Sequence, residues 1–134
     1  MSTRQPAGLH DLASNVVMPQ GPLDPHALRQ WADAAGQRFV RVALAGCTNR
    51  REVLLAVGRA LELPDWFGAN LDALYDSLTD LAAPLAGSGL VLVLSGMPEG
   101  ADFTTDDREA VLDVFRDAAS AFAEVSVPLR VIVA

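Results

Sequence analysis

The sequence predicts an α/β protein with parallel strands. Strand-like apolar runs alternate along the chain with segments whose apolar residues recur at helical spacing, an order typical of parallel sheets. Every residue of the run Leu90–Leu94 is apolar, which indicates a strand covered on both faces. With 134 residues, of which 51% are hydrophobic, the chain is long enough for one domain with a sizeable core.

The first helix is signalled by a capping pair that follows a polar stretch rich in proline and glycine. Asp24 and Pro25 are typical of an N-cap and a first helical position. The helix should run to Ala35 and end at Gly36, which tolerates the conformation found at helix C-termini. Before this helix, Val16–Met18 could form a short additional strand.

A strand and a second helix come next. Phe39–Ala45 has the apolar, β-branched composition of a strand, and Gly46 should end it. Thr48 or Asn49 should cap the following helix, which runs to about Leu61.

A turn and an amphipathic helix form the most informative part of the chain. Pro64 disfavours helical geometry at Leu63, so the second helix should end there. Gly68 permits a tight turn, and Asn70 is the best N-cap candidate for a third helix over Leu71–Leu81.

The last two elements follow the apolar strand. Thr104 or Thr105 should begin a long helix, whose acidic first turn complements the positive end of the helix dipole. Pro128 precedes a final strand over Leu129–Ala134.

The third helix has two contrasting faces when it is drawn at about 100° per residue. Its apolar side carries Leu71, Leu74, Leu78 and Leu81, with Tyr75 at the edge. Its opposite side carries Asp72, Asp76 and Asp80, each four residues from the next. Like charges at this spacing destabilise a helix by roughly 0.2–0.5 kcal/mol per pair, so the acidic stripe does not serve helix stability.

Two interpretations of this stripe are open. One is an ordinary solvated helix face, since most exposed faces are charged. The other is an acidic surface that binds a basic partner. Trp66 and Tyr75 favour the second, because aromatic residues are enriched at protein interfaces. For Trp66 a place in the hydrophobic core is an equally open alternative.

The charge distribution argues against nucleic-acid binding. The formal net charge is −7, the chain has no lysine, and no arginine occurs between residues 60 and 107. Nucleic-acid binding depends on cationic groups that neutralise phosphates. An acidic field instead attracts basic proteins and speeds their encounter.

The cytoplasm is the expected compartment. No apolar run reaches the length of a membrane span, and the N-terminus lacks the basic and apolar regions of a secretory signal. Cys47 is the only cysteine, so the chain cannot form an internal disulfide.

The sequence lacks the usual signatures of an enzyme. There is no phosphate-binding P-loop motif and no zinc-type cluster of cysteine and histidine, and no cofactor or metal is expected. The expected carboxyl ends of the strands carry no carboxylate at the positions where α/β enzymes hold ligands. A weak magnesium site at Asp72 and Asp76 keeps a metal- or phosphate-handling enzyme open as an unfavoured alternative.

The stretch Pro64–Asp76 carries a specific resemblance. It reads Pro-Asp-Trp-Phe-Gly-Ala-Asn-Leu-Asp-Ala-Leu-Tyr-Asp and resembles the signature of the barstar family, intracellular protein inhibitors of barnase-type ribonucleases. The resemblance covers most of residues 39–134. It implies a small three-stranded parallel sheet with packed helices, and it makes residues 1–38 an extension with one helix that packs on this domain.

The resemblance also implies roles for individual residues. Asp76 would enter the phosphate-binding site of the ribonuclease as the chief phosphate mimic, and Asp72 would be a second acidic anchor. Trp66 would lie across the mouth of the active site. Asp117 corresponds to a family glutamate that makes a peripheral ion pair.

Other candidate partner-binding residues surround these. Gly68 and Asn70 would shape the loop, and Tyr75 is the aromatic residue beside the acidic stripe. Asp80 is added on the basis of the helical wheel alone. Trp66 and Tyr75 replace a family tyrosine and tryptophan, and these differences indicate a different cognate nuclease rather than a different fold.

The predicted function is therefore a non-enzymatic inhibitor that blocks a basic ribonuclease with an acidic helix and its preceding loop. An immunity or adaptor protein for another basic protein would show the same acidic helix and stays open as an alternative.

Overall fold

A computed structural model describes residues 5–64 and 69–134. The helices are α1 (Pro25–Ala34), α2 (Arg50–Ala60), α3 (Leu71–Asp80) and α4 (Thr105–Glu124). The strands are β1 (Val16–Pro19), β2 (Arg38–Ala43), β3 (Leu90–Ser95) and β4 (Leu129–Val133). A single turn of 3₁₀ helix at Leu9–Asp11 precedes β1. The predicted alternation of strands and helices is confirmed.

The four strands form one wholly parallel sheet in the order β1, β4, β3, β2. Three of them make up the predicted three-stranded core, and the additional strand lies at one edge. There Val16 is in register with Arg130, and Pro19 with Val133. The expectation of a short extra strand before α1 is therefore confirmed.

Helices cover both faces of the sheet. On one face, Val91, Val93 and Ile132 pack with Leu28 of α1 and Leu9 of the 3₁₀ turn. On the other face, the alternate side chains of β3 pack against residues of α2, α3 and α4, in a larger cluster built around Leu90, Leu92, Leu94, Phe115 and Phe122. This three-layer arrangement accounts for the almost wholly apolar sequence of β3.

The N-terminal segment is hydrogen-bonded into the same sheet. The side-chain amide of Asn15 donates to the carbonyls of Ala119 and Val127, at 3.0 Å each. Nη2 of Arg130, a residue only 7% exposed, donates to the carbonyl of Leu9 at 3.1 Å and to that of Leu12 at 3.2 Å. The segment before α1 thus satisfies polar groups that belong to β4 and to the end of α4.

Helix caps occur where the sequence predicts them. Asp24 accepts a hydrogen bond from the N–H of His26, and Asn49 accepts one from that of Glu52. Thr104 forms a reciprocal capping box with Asp107 at the start of α4.

Within the described residues, no helix is long and apolar enough to cross a membrane.

Candidate functional site

The start of α3 is fixed by its cap. Asn70 has an extended backbone, and its Oδ1 accepts a hydrogen bond from the N–H of Ala73 at 2.8 Å. This satisfies one of the free donors in the first turn, as the sequence predicts. Asp72 lies in that same turn, where the helix dipole favours an anion. Trp66 and Gly68, the loop residues among the candidates, lie outside the described residues.

The two faces of α3 are arranged as the helical wheel predicts. Leu74 and Leu78 are fully buried, and α3 packs against α4. Tyr75 is 36% exposed, which places it at the boundary of the apolar side. The three aspartates of the stripe, Asp72, Asp76 and Asp80, are all exposed.

A groove runs between α3 and α4 and brings most of the described candidates together. Its volume is about 600 Å³, and it includes Asp72, Tyr75 and Asp76 from α3 and Asp117 from α4. The rest of its lining comes from Leu71, Val114, Ser120, Ala121 and Glu124. Packing of the two helices thus places Asp117 on the same surface as the aspartates of the stripe.

The groove is strongly acidic. Four carboxylates line it, those of Asp72, Asp76, Asp117 and Glu124, and no described arginine does. None of the four forms an ion pair within residues 5–64 and 69–134. Their charges are therefore available to a cationic ligand.

Asp80 has a different position. It is exposed at the last residue of α3 and does not line the groove. It belongs to the rim of the acidic surface, one turn beyond Asp76.

Glu124 is a groove residue that the sequence interpretation did not identify. It lies seven residues after Asp117, and two helical turns bring such residues to one face of a helix. That spacing could have identified Glu124 once Asp117 was placed at the site. The sequence does not show that α3 lies alongside this part of α4. Only the fold shows this.

Two further features of the described residues concern potential metal ligands and the cysteine. They contain no group of three or more histidine, cysteine, aspartate or glutamate side chains that could hold a metal ion. Burial raises the pKa of the Cys47 thiol, with the nearby Glu52 acting in the same direction, so the reactive thiolate is disfavoured. The acidic groove is instead suited to accepting hydrogen bonds from cationic groups.

Most of the chain matches the model of a known protein family. The model of the barstar (barnase inhibitor) family matches residues 37–134, well over half of the chain. The chain belongs to the barstar family. The match includes α2, α3, α4 and the strands β2, β3 and β4, so the whole acidic groove lies within it. Strand β1 and helix α1 lie outside it. The family is one of inhibitors rather than enzymes.

Proposed function

We propose that this protein inhibits a barnase-type ribonuclease by covering its cationic active site with the groove between α3 and α4. The observation that carries the proposal is a set of four carboxylates in the groove that form no ion pair within the described residues. The family to which the chain belongs is described as barnase inhibitors. The protein would act by binding alone, without a cofactor and without contact to nucleic acid.

The chemistry of the block follows from what a ribonuclease must bind. An enzyme that cleaves RNA needs cationic groups that hold phosphate and stabilise charge in the transition state. A carboxylate accepts the same paired hydrogen bonds from an arginine side chain as a phosphate does. Asp76, which lies in the groove and one turn from Asp72, is the proposed chief phosphate mimic, and Asp72 is the second anchor.

The remaining candidates would extend this contact. Asp117 presents a carboxylate from α4, and Tyr75 supplies partly exposed aromatic surface beside the acidic stripe. Asn70 fixes the helix start through its cap. Trp66 and Gly68 are proposed as loop contacts on the basis of their match to the family signature.

The net charge of −7 supports rapid association with a basic enzyme, because long-range attraction raises the encounter rate. A cell that makes such a ribonuclease needs the inhibitor wherever the enzyme could reach the RNA of that cell. We therefore propose a cytoplasmic, immunity-type role for the protein.

The proposal is tested by titrating the purified protein into barnase and a panel of related basic ribonucleases while RNA cleavage is measured. Cleavage by at least one of them should fall to zero at a one-to-one ratio, and excess RNA should slow the inhibition. If no member of the panel is inhibited, the proposal is wrong, and a basic target of another kind becomes the better candidate.

A further inference from the structure

A second cleft adjoins the acidic groove, and its lining includes two positively charged side chains. It has a volume of about 550 Å³ and is lined by Arg50 and Arg51 of α2 together with Leu54, Ala69, Asn70, Leu71 and Asp72. Leu71 and Asp72 line both the cleft and the groove, so the two adjoin each other at the start of α3. We call this the arginine cleft.

The two arginines do not serve the stability of their own helix. They are the first two residues of α2, after the Asn49 cap, and cations at a helix N-terminus are disfavoured by the helix dipole. Glu52, the next residue, has the sign that this position favours. A pair of cations at this end of the helix therefore calls for an explanation outside the helix.

The two arginines also form little ion pairing with the described residues. Nη1 of Arg50 lies 3.8 Å from Oδ1 of Asp107, a long contact between partly exposed side chains. Arg51 is exposed and forms no ion pair with any residue that the structure describes. Neither guanidinium is paired with Asp72, although all three residues line the arginine cleft.

We propose that the arginine cleft binds an acidic side chain of the partner ribonuclease, beside the cationic site that the acidic groove covers. This inference rests on the proposed function and adds a determinant of partner choice to it. A ribonuclease with a carboxylate at that position gains a charge-assisted hydrogen bond from Arg51. A ribonuclease with a lysine or arginine there meets like charge, and it is rejected even though its active site would fit the acidic groove.

The direction in which Kd changes distinguishes binding at the arginine cleft from simple electrostatic steering. Arg51→Glu makes the protein more acidic, so steering alone predicts tighter binding to a basic enzyme. Local pairing predicts the reverse. Arg59→Glu is the matched control, because Arg59 is exposed on the same helix but lines a different cleft with Cys47 and Glu52. Both substitutions change the net charge equally.

The experiment measures the Kd of wild type, Arg51→Glu and Arg59→Glu for a ribonuclease that the wild type inhibits. Arg51→Glu should raise Kd by about tenfold or more, whereas Arg59→Glu should leave it unchanged or lower it. Arg51→Gln, which removes the charge without reversing it, should raise Kd by a smaller factor and guards against a folding defect. Circular dichroism should match wild type for all three, and neither variant of Arg51 should unfold at a lower temperature than wild type.

The two proposals fail differently. If the wild type inhibits the enzyme and Arg51→Glu binds as tightly as Arg59→Glu, the arginine cleft has no role, and the acidic groove keeps its own. If the wild type inhibits no member of the panel, the proposed function fails, and the inference that rests on it fails too.

Discussion

Asp76 of α3 and Asp117 of α4 line the same groove although they are far apart in the sequence. The packing of α3 against α4 brings their charges to one surface, and no described cation neutralises either of them. Like charges held on one surface oppose folding. A cationic partner that enters the groove would remove this repulsion on binding.

Asp76→Ala should weaken inhibition strongly. A hydrogen bond to a charged group contributes about 1.5–3 kcal/mol, which corresponds to roughly a 10- to 100-fold higher Kd. The fold should be unaffected, because Asp76 is exposed and its side chain forms no hydrogen bond with a described residue. The measurement is an inhibition titration against RNA cleavage.

Asp33→Ala is the control for this change. Asp33 is an exposed aspartate on α1, which covers the other face of the sheet from α3 and α4. The substitution Asp33→Ala removes the same charge as Asp76→Ala, but far from the groove. Equal losses of inhibition for Asp33→Ala and Asp76→Ala would mean that only net charge matters, and the role of Asp76 as a phosphate mimic would be wrong.

Asp76→Asn should stabilise the free protein. The substitution removes two like-charge pairs, with Asp72 and Asp80, that each lie four residues away on the same helix. Two pairs at this spacing predict a gain of roughly 0.4–1 kcal/mol in the free energy of unfolding, and added salt should reduce it. Urea unfolding at low ionic strength measures this gain in stability. A loss of stability would show that the acidic stripe contributes to the fold rather than to binding.

Asp80→Ala should affect association more than dissociation. Asp80 lies at the rim of the acidic surface, and rim charges act mainly through steering. The on-rate at low salt should fall for this variant, and the difference from wild type should shrink at physiological salt. Stopped-flow binding at two salt concentrations tests this. A large rise in the off-rate would instead place Asp80 inside the contact.

Acid should destabilise the protein through two caps. The backbone N–H of Thr48, and then its hydroxyl, lower the pKa of Glu52, to which they donate at 2.7 and 2.8 Å. The backbone N–H of Thr104 likewise lowers the pKa of Asp107. A lowered pKa means that the folded state binds fewer protons than the unfolded state in the acidic range. Stability from these groups is therefore present at neutral pH and lost as pH falls.

The pH dependence can be assigned by mutation. The free energy of unfolding should fall between about pH 5 and pH 3, and Asp107→Asn should flatten that dependence. Asp113→Asn is a useful comparison, because Asp113 pairs with Arg116 on the exposed surface of α4 and takes no part in the cap. An unchanged slope for Asp107→Asn would show that the capping box does not contribute to acid stability.

Removing the N-terminal segment should damage the domain even though the segment lies outside the family match. A chain of residues 37–134 would expose the edge of β4 and the buried guanidinium of Arg130, whose Nε and Nη1 already lack a described hydrogen-bond partner. Truncation would also uncover Val91, Val93 and Ile132, whose burial under α1 stabilises the sheet, and an exposed strand edge promotes self-association.

The truncated chain should therefore unfold at lower urea concentration than the full chain and should self-associate at high concentration, as light scattering would show. A truncated chain that matches the full chain in both respects would establish residues 1–36 as a dispensable extension.

Local signals predicted most of the individual elements. Asn70 identified the start of α3, because a side-chain acceptor followed by an apolar period is a local pattern. The apolar positions Leu74 and Leu78 identified its buried face in the same way. Such features depend only on residues within a few turns of each other.

The features that the sequence did not reveal depend on contacts between distant segments. Glu124 joins the groove only because α4 packs beside α3. The arginine cleft forms only because the N-terminus of α2 lies next to that of α3. Arg130 is buried because the N-terminal turn folds over β4. The spacing of residues along the chain does not show which distant segments pack together.

The central claim is that the groove between α3 and α4 is the surface that binds the ribonuclease. The most direct measurement is amide hydrogen exchange of the protein, alone and in complex with a ribonuclease that it inhibits. Protection on binding should be concentrated in residues 69–80 and 114–124, with α1 unchanged. Protection centred on α1, with residues 69–80 unchanged, would contradict the account.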